Sequence, residues 1–256
     1  MDRRMFLMLL SSKKQSPLMN GLISHWKLDE LTGDRYDSRG GKTLLPVGVV
    51  QYNVGKMGNC ASFNGDAGVY LSSASYTSLT DIDWSLGFTV AGWFYYPTAF
   101  NSYFHVLAKQ YGGNADWGLG LSAPNACRFY VNDSVSGQTL AVSPTTVVAD
   151  TWYFLAGRYN PVTKKAEVSL NNAAFTVGTA LTNVPKNLRT HFEIGRYASS
   201  YGASRLDGVN LWTRYVTDAE ITQIYNNGNG LEYPFMGETP IEATEWYSGT
   251  DWYVSP

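Results

Sequence analysis

The sequence has few charged residues and few cysteines for its length. Lys, Arg, Asp and Glu make up 16% of the 256 residues, the formal net charge is −2, and no run of Lys or Arg forms a basic stripe. A nucleic-acid partner is therefore not expected. The two cysteines, Cys60 and Cys127, are too few for a disulfide framework or a zinc knuckle, and we predict two small buried side chains.

Long apolar runs are absent as well. No stretch reaches the roughly 18 apolar residues of a membrane-spanning helix, so no membrane span is predicted. The N-terminal "MDRRMFLMLLSSKKQS" has paired arginines before an apolar run, Met5 to Leu10. That run is shorter than the about seven residues of a signal-peptide core, and Lys13 and Lys14 follow it directly. We therefore interpret this segment as something other than a secretory signal.

Aromatic residues and glycine are abundant, with 18 Tyr, 11 Phe, 8 Trp and 25 Gly. Short apolar runs alternate with turn signals such as "NGDAG", "YGGNAD", "NDSVSG" and "NPVTKK", a pattern typical of an all-β sandwich or jelly roll. The predicted strands are Cys60–Phe63, Val69–Leu71, Phe88–Tyr95, His105–Lys109, Trp117–Leu121, Arg128–Val131, Trp152–Tyr159, Ala166–Leu170, His191–Ile194 and Leu206–Trp212.

Two of these segments carry more detail. Both faces of "FTVAGWFYY" are largely apolar, which predicts a central strand. The segment "KAEVSLNNAAFTVG" predicts a hairpin that turns at Asn171–Asn172, because Asn tolerates the positive φ that such turns need.

One helix is predicted near the end of the domain, in "VTDAEITQIYNNG". Thr217 and Glu220 have the spacing of a capping box, and Ile221, Ile224 and Tyr225 fall on one face. Gly228 is the predicted left-handed C-terminus. A helix this short depends on packing, so we expect it to cover one end of the sandwich core.

Five stretches in order resemble the laminin G-like, concanavalin A-like lectin/glucanase jelly-roll family. They are "LISHWKLDELTGDRYDSRGG", "GNCASFNGDAGVYL", "DWSLGFTVAGWFYY", "TWYFLAGRYN" and "RLDGVNLWTRYVTDAEITQIYNNG", which together cover roughly residues 21–230. The resemblance implies an antiparallel β-sandwich with one short helix near its C-terminal end. Because fold does not fix function, the activity is a separate question.

The matched stretches predict three segments: an N-terminal arm at 1–20, a jelly-roll domain at 21–235 and an aromatic C-terminal tail at 236–256. Aromatic and apolar side chains dominate protein interfaces, so both arms are candidates for docking or oligomerisation. A tail folded back on its own domain is an equal alternative. The candidate docking residues are Phe6, Leu7, Leu9, Leu10, Trp246, Tyr247, Trp252 and Tyr253.

Some members of the resembled family are glucanases, which need two carboxylates on one face. The glucanase pattern Glu–x–Asp–x–x–Glu is absent here, and no catalytic residues are predicted. Several laminin G-like domains bind calcium at the sandwich rim, and Asp29, Asp37 and Asp207 lie in matching stretches, so calcium is an optional ligand and no cofactor is required. The favoured alternative is that Asp37 and Asp207 cap their own turns. Asn210 also departs from the charged residue of many relatives.

Loop aromatics suggest a glycan site, because sugar binding uses exposed ring faces beside a few polar groups. Two loops stand out, "KQYGGNADWG" at 109–118 and "GRYASSYGAS" at 195–204. The candidate carbohydrate-binding residues are Tyr111, Trp117, Tyr197 and Tyr201. Packing of any one of these rings on the core or on a sister subunit is the alternative.

Two functions remain open on this basis. The first is a non-enzymatic assembly protein at a virion surface, a capsid-decoration or fibre-like subunit that docks on other virion proteins and forms a homo-oligomer. The second is an extracellular carbohydrate-binding lectin or adhesin. A virion lectin would satisfy both.

Overall fold

The computed structural model describes residues 16–73, 82–97, 104–111, 114–122, 125–189, 191–197, 200–236, 246–248 and 251–253. The chain divides into two compact units, Gly21–Tyr233 and a second unit that comprises Met1–Asn20 with Pro234–Pro256. The segment boundaries at 21 and 235 stay predictions from the sequence.

The larger unit contains two antiparallel sheets. In sheet A, seven strands are hydrogen-bonded in a row, and an eighth strand, β1 (Leu22–Trp26), pairs with the fifth strand of that row. The order in sheet A is β13 (Thr176–Val177), β12 (Lys165–Leu170), β11 (Thr151–Asn160), β6 (Phe88–Tyr96), β17 (Ala203–Trp212), β4 (Asn59–Asn64) and β3 (Gln51–Val54).

Sheet B has seven strands and packs its inner face against that of sheet A. Its order is β10 (Gln138–Thr146), β9 (Ala126–Asn132), β8 (Asn114–Ser122), β7 (Phe104–Tyr111), β14 (Phe192–Ile194), β5 (Tyr70–Ser73) and β2 (Leu44–Val47). Two small hairpins lie outside the sheets: β15 (Arg196–Tyr197) with β16 (Ser200–Tyr201), and β18 (Trp246–Ser248) with β19 (Asp251–Tyr253).

The core lies between the sheets and is rich in aromatic rings that contact one another. Trp117 is 2% exposed and contacts Phe88, Phe129 and Phe192 at centroid distances of 4.6, 6.4 and 5.9 Å. Rings of this size bury a large apolar area and favour tilted contacts of this kind. The predicted all-β sandwich is confirmed, and Cys60 and Cys127 are both free and buried, as predicted.

Every predicted strand has a counterpart in the sheets, and β6 is central, between β11 and β17, as its two apolar faces predicted. The predicted hairpin also forms, with Asn171 and Asn172 at φ of 51° and 60°. The sequence did not reveal β10, an edge strand whose pairing with β9 shifts between Val142 and Thr146 and which contains Pro144. Proline cannot donate to a ladder and is tolerated at such an edge, where the strand pattern is weak.

The helix α1 (Asp218–Tyr225) begins as predicted and ends earlier. Thr217 and Glu220 form the full capping box. The left-handed C-cap is Asn226, with φ of 48°, so the prediction of Gly228 at this position is corrected. Asn adopts this conformation through its short polar side chain, and the two consecutive Asn residues end the helix before the glycine.

The helix packs on the outer face of sheet A rather than at the end of the core. The Tyr225 ring stacks on Trp93 of β6 at 5.8 Å and contacts Phe154 of β11 at 5.8 Å. The buried Arg158 anchors the first turn of the helix to sheet A, because its guanidinium forms ion pairs with Glu167 at 2.7 Å and with Asp218 at 2.6 Å. The helix therefore covers the middle of this outer face.

Candidate functional site

The loop "GRYASSYGAS" connects the two sheets at one end of the sandwich. It leaves β14 of sheet B, forms the β15–β16 hairpin and enters β17 of sheet A. Gly195 begins it with φ of 90°, and a Cβ atom there would lie 2.7 Å from the Phe63 ring. Only glycine fits this close approach, which turns the chain so that Arg196 points away from the core.

Four side chains meet where this loop joins the outer face of sheet B, and we call them the rim cluster: Tyr70, Glu193, Arg196 and Tyr201. The Arg196 guanidinium lies 4.0 Å from the Tyr70 ring centroid. Tyr70 and Tyr201 face each other at 6.4 Å with a 45° tilt. Both tyrosines are half-buried, so part of each ring remains open to a ligand.

The charge in the rim cluster is neutralised internally. Glu193 is 2% exposed on its side chain and accepts two hydrogen bonds from Arg196, at 2.8 and 2.6 Å. This fork-to-fork geometry is the strong form of an Arg–carboxylate pair. The hydrogen bonds to Glu193 raise the pKa of Arg196, and burial raises the pKa of Tyr70. The rim cluster therefore offers two phenol rings and hydrogen-bonding groups with no net charge.

Of the four residues predicted for sugar binding, the structure places only Tyr201 in this site by its side chain. Tyr197 belongs to the same hairpin, but its side chain lies outside what the structure describes. Sequence reasoning missed Tyr70, Glu193 and Arg196. The signal for Glu193 and Arg196 is the segment "EIGR", in which a basic residue follows an acidic one by three positions at the end of a strand, whereas no local pattern marks Tyr70.

The second predicted loop, at 109–118, lies at the other end of sheet B. Phe192 pairs with Lys109 and Ile194 with Leu107, so the β7–β8 turn and the β14–β15 loop leave the sheet in opposite directions. Trp117 is in the core, which corrects its expected role as an exposed ring. The side chain of Tyr111 lies outside the described part of the chain. The two loops do not form one site.

The three predicted calcium ligands divide between two places. Asp37 accepts hydrogen bonds from the backbone N–H groups of His25, Arg39 and Lys42, so it organises its own turn. Asp29 and Asp207 both face the turn before β4. Asp29 accepts from the Asn59 N–H at 2.8 Å and Asp207 from the Met57 N–H at 2.7 Å.

Asp207 lies at a bulge of β17, where the pairing with β6 shifts and Gly208 has φ of 56°. Burial raises the pKa of Asp207 to about 7, and burial lowers the pKa of the nearby His25 to about 4. These groups line a narrow cleft with Lys27, Asp29 and Glu232. Within the described residues, no three His, Cys, Asp or Glu side chains converge as metal ligands would. Calcium stays an untested prediction.

The buried carboxylates of the described residues serve the fold. Each accepts hydrogen bonds from backbone N–H groups or from arginine, which offsets part of the cost of burying it. They are Asp37, Asp116, Asp133, Glu167, Glu193 and Asp207.

Among the residues that the structure describes, none of the helices has the length and apolar character that crossing a membrane requires.

The family follows from the sequence match. The model of the concanavalin A-like lectin/glucanases superfamily matches residues 65–222, more than half of the chain, so the chain belongs to this superfamily. No curated protein matches the sequence.

Solved structures with the same fold come from toxins and from a glycoside hydrolase. The binding domain of Paraclostridial Mosquitocidal Protein 1 is 13% identical with a TM-score of 0.69, over 82% of this chain and 53% of that one. The binding domain of botulinum neurotoxin serotype G is 12% identical with a TM-score of 0.66, over 80% and 50%. The chain thus spans about half the length of these toxin domains.

A third structure matches over its whole length. Domain 4 of AbnA, an extracellular arabinanase of family GH43 from Geobacillus stearothermophilus, was solved in complex with arabinotriose. It is 15% identical with a TM-score of 0.59, over 79% of this chain and 97% of that one. At this identity the likeness shows the fold alone.

Proposed function

We propose that the chain is a non-catalytic carbohydrate-binding module whose rim cluster binds a neutral sugar. The single observation that carries this function is the pair of half-buried tyrosine rings, Tyr70 and Tyr201, beside an arginine already neutralised by Glu193. Aromatic faces beside a few fixed polar groups are the usual means of sugar recognition by proteins.

The polar groups of the rim cluster suit sugar hydroxyls. The planar fork of Arg196 donates to Glu193, and this pairing holds the guanidinium in place against the Tyr70 ring. The phenol hydroxyls both donate and accept. Because the arginine is already paired, an anionic ligand gains little from it, and a neutral saccharide is the better match.

The absence of an enzyme activity is part of the same proposal. Support comes from the buried carboxylates, each of which is hydrogen-bonded within the fold, and from structural neighbours that are mostly binding domains.

The location on a virion surface, the docking arms and the homo-oligomer stay predictions from the sequence. Residues Phe6, Leu7, Leu9 and Leu10 lie outside the described residues, as do the side chains of Trp246, Tyr247, Trp252 and Tyr253.

The test is calorimetric titration of the full chain with arabinotriose and with a panel of neutral oligosaccharides. We expect weak binding of at least one neutral sugar, and its loss in Tyr201→Ala and in Tyr70→Ala. Tyr36→Ala is the matched control, because Tyr36 is 62% exposed elsewhere on the surface. Binding unchanged in both rim variants, or no binding of any neutral sugar, would overturn the proposal.

A further inference from the structure

A second row of half-exposed side chains crosses the outer face of sheet A. Arg205 of β17 pairs with Tyr95 of β6, and Tyr95 pairs with Trp152 of β11. Directly opposed residues on antiparallel strands share a face of the sheet. The three side chains therefore lie side by side, and we call them the platform.

The contacts within the platform fix the rings and the guanidinium. Arg205 lies over the Tyr95 ring at 4.6 Å, and the Tyr95 and Trp152 rings are 5.6 Å apart with a 48° tilt. The Tyr95 hydroxyl donates to Asp150 at 2.9 Å. A guanidinium stacked on a ring and a phenol held by a carboxylate lose little freedom when a ligand arrives.

The helix α1 leaves this row open. The next row along the same strands contains Trp93 and Phe154, and Tyr225 of the helix covers both rings. The platform lies one step further out, at positions 95, 152 and 205, all of which remain partly exposed. The fold thus covers one aromatic row of the face and exposes the neighbouring one.

The charge of Arg205 distinguishes the platform from the rim cluster. Among the residues that the structure describes, the Arg205 guanidinium has neither an ion pair nor a hydrogen-bonded carboxylate. Stacked arginines keep their donor edges available, and those edges match a carboxylate in a bidentate geometry. The side chain is therefore arranged to receive an anion next to an aromatic surface.

We propose that the platform binds an acidic saccharide. A sugar carboxylate lies at Arg205, the apolar face of a sugar ring stacks on Tyr95 and Trp152, and a hydroxyl donates to the exposed Asp150. Neighbouring strands are about 4.8 Å apart, so the span from Arg205 to Trp152 is about 10 Å, the reach of a disaccharide. Both the site and the ligand class differ from those of the rim cluster, so this inference goes beyond the function proposed above.

The experiment is calorimetric titration of the full chain with digalacturonate, with its neutral methyl ester and with sialyllactose. We expect one or both acids to bind more tightly than the ester, with an affinity that falls as salt is added. Arg205→Gln is expected to lower the affinity roughly tenfold or more, the effect of losing a charge-assisted pair of hydrogen bonds. Trp152→Ala is expected to lower it roughly fivefold through the lost stacking.

The controls separate a specific platform from general charge. Lys164→Asn removes one positive charge in the turn between β11 and β12, at a φ of 58° that Asn tolerates, and leaves the affinity unchanged. Arg205→Lys keeps the charge without the fork and gives an intermediate affinity. Unchanged melting midpoints establish that each variant is folded.

Several results would overturn the inference. One is that digalacturonate and its methyl ester bind with equal affinity. Another is that acetate displaces digalacturonate when the two are at the same concentration. A third is that the Arg205→Gln variant still binds the acid as tightly as the wild type. Failure of both acidic probes at millimolar concentrations would also overturn it. Tyr201→Ala distinguishes the two sites, because it weakens a neutral sugar at the rim cluster and leaves the platform intact.

Discussion

Arg196 and Arg205 both lie over tyrosine rings, on the two outer faces of the same sandwich. Arg196 is 4.0 Å from the Tyr70 centroid and Arg205 is 4.6 Å from that of Tyr95. Only Arg196 has a buried carboxylate, Glu193, held against it by two hydrogen bonds. The same pair of residue types thus gives an arginine paired with a buried carboxylate on sheet B and, among the described residues, an arginine without an ion pair on sheet A.

The difference arises from the strand that lies beneath each arginine. Glu193 alternates with the core residues Phe192 and Ile194, so it faces outward directly under the loop that carries Arg196. The residues that oppose Arg205 across the strands are Ser62 and Tyr95, neither of which is acidic. A carboxylate three residues earlier in the chain therefore neutralises Arg196, whereas neither residue that opposes Arg205 can do so.

The largest expected effect concerns Asp207, a buried carboxylate that has backbone N–H partners instead of an arginine. Burial raises its pKa from 3.8 to about 7, so the folded state holds the proton that the unfolded state loses between pH 4 and 7. Wild-type stability falls by roughly 4 kcal/mol over this window through Asp207, at about 1.4 kcal/mol for each pKa unit. Relative to wild type, Asp207→Asn should gain stability as the pH rises from 4 to 7.

Denaturant unfolding of both proteins across pH 4 to 8 measures this difference. His25→Gln is the internal control with the opposite sign, because burial lowers the pKa of His25 from 6.5 to about 4. Through His25 the wild type loses stability as the pH falls from 6.5 to 4, and this contribution is missing from the Gln variant. A pH-independent difference between Asp207→Asn and wild type would contradict the assigned titration.

The second prediction tests the pairing of Arg196 directly. Arg196→Gln leaves the buried Glu193 without its partner and should lower the free energy of unfolding by about 3 kcal/mol, as for other broken buried pairs. Arg205→Gln has no such partner and should change stability by less than about 0.5 kcal/mol. Equal effects in urea unfolding would show that the two arginines do not differ as described.

A third prediction concerns the charge of the rim cluster, which one substitution makes more like that of the platform. Glu193→Gln keeps the shape of the rim cluster and removes the charge that neutralises Arg196. We expect the variant to gain affinity for digalacturonate at the rim cluster by roughly tenfold, or about 1.4 kcal/mol, in the background of Arg205→Gln. Calorimetry of the single and double variants measures the gain, and no gain would argue that internal pairing does not set the ligand charge.

The smallest expected effect concerns the helix that covers the row beside the platform. Thr217→Ala removes the cap on the Glu220 N–H and should lower stability by about 1 kcal/mol. Thermal unfolding measures the change, with Thr163→Ala in the exposed turn between β11 and β12 as the control. An unchanged midpoint would show that the helix start does not depend on its capping box.

Local sequence patterns predict some features of the helix and strands correctly. The capping box at Thr217 is predictable because it depends on two residues three positions apart. The Asn171–Asn172 turn is predictable because it depends on the φ preference of Asn. The C-terminus of the helix was mispredicted, since Asn226 and Gly228 both adopt left-handed conformations and the sequence does not rank them. The glycine-rich turn before Trp117 predicts an exposed loop ring, whereas the ring belongs to the core.

The amino-acid sequence by itself determined the class of fold, the positions of most strands along the chain, the buried cysteines and the family, because these depend on periodicity and short motifs. The tertiary structure alone decided which side chains meet. Tyr70 and Arg196 are 126 positions apart and Tyr95 and Arg205 are 110 apart in the printed numbering. Their contacts follow from strand order and register, which residue patterns along one strand do not specify.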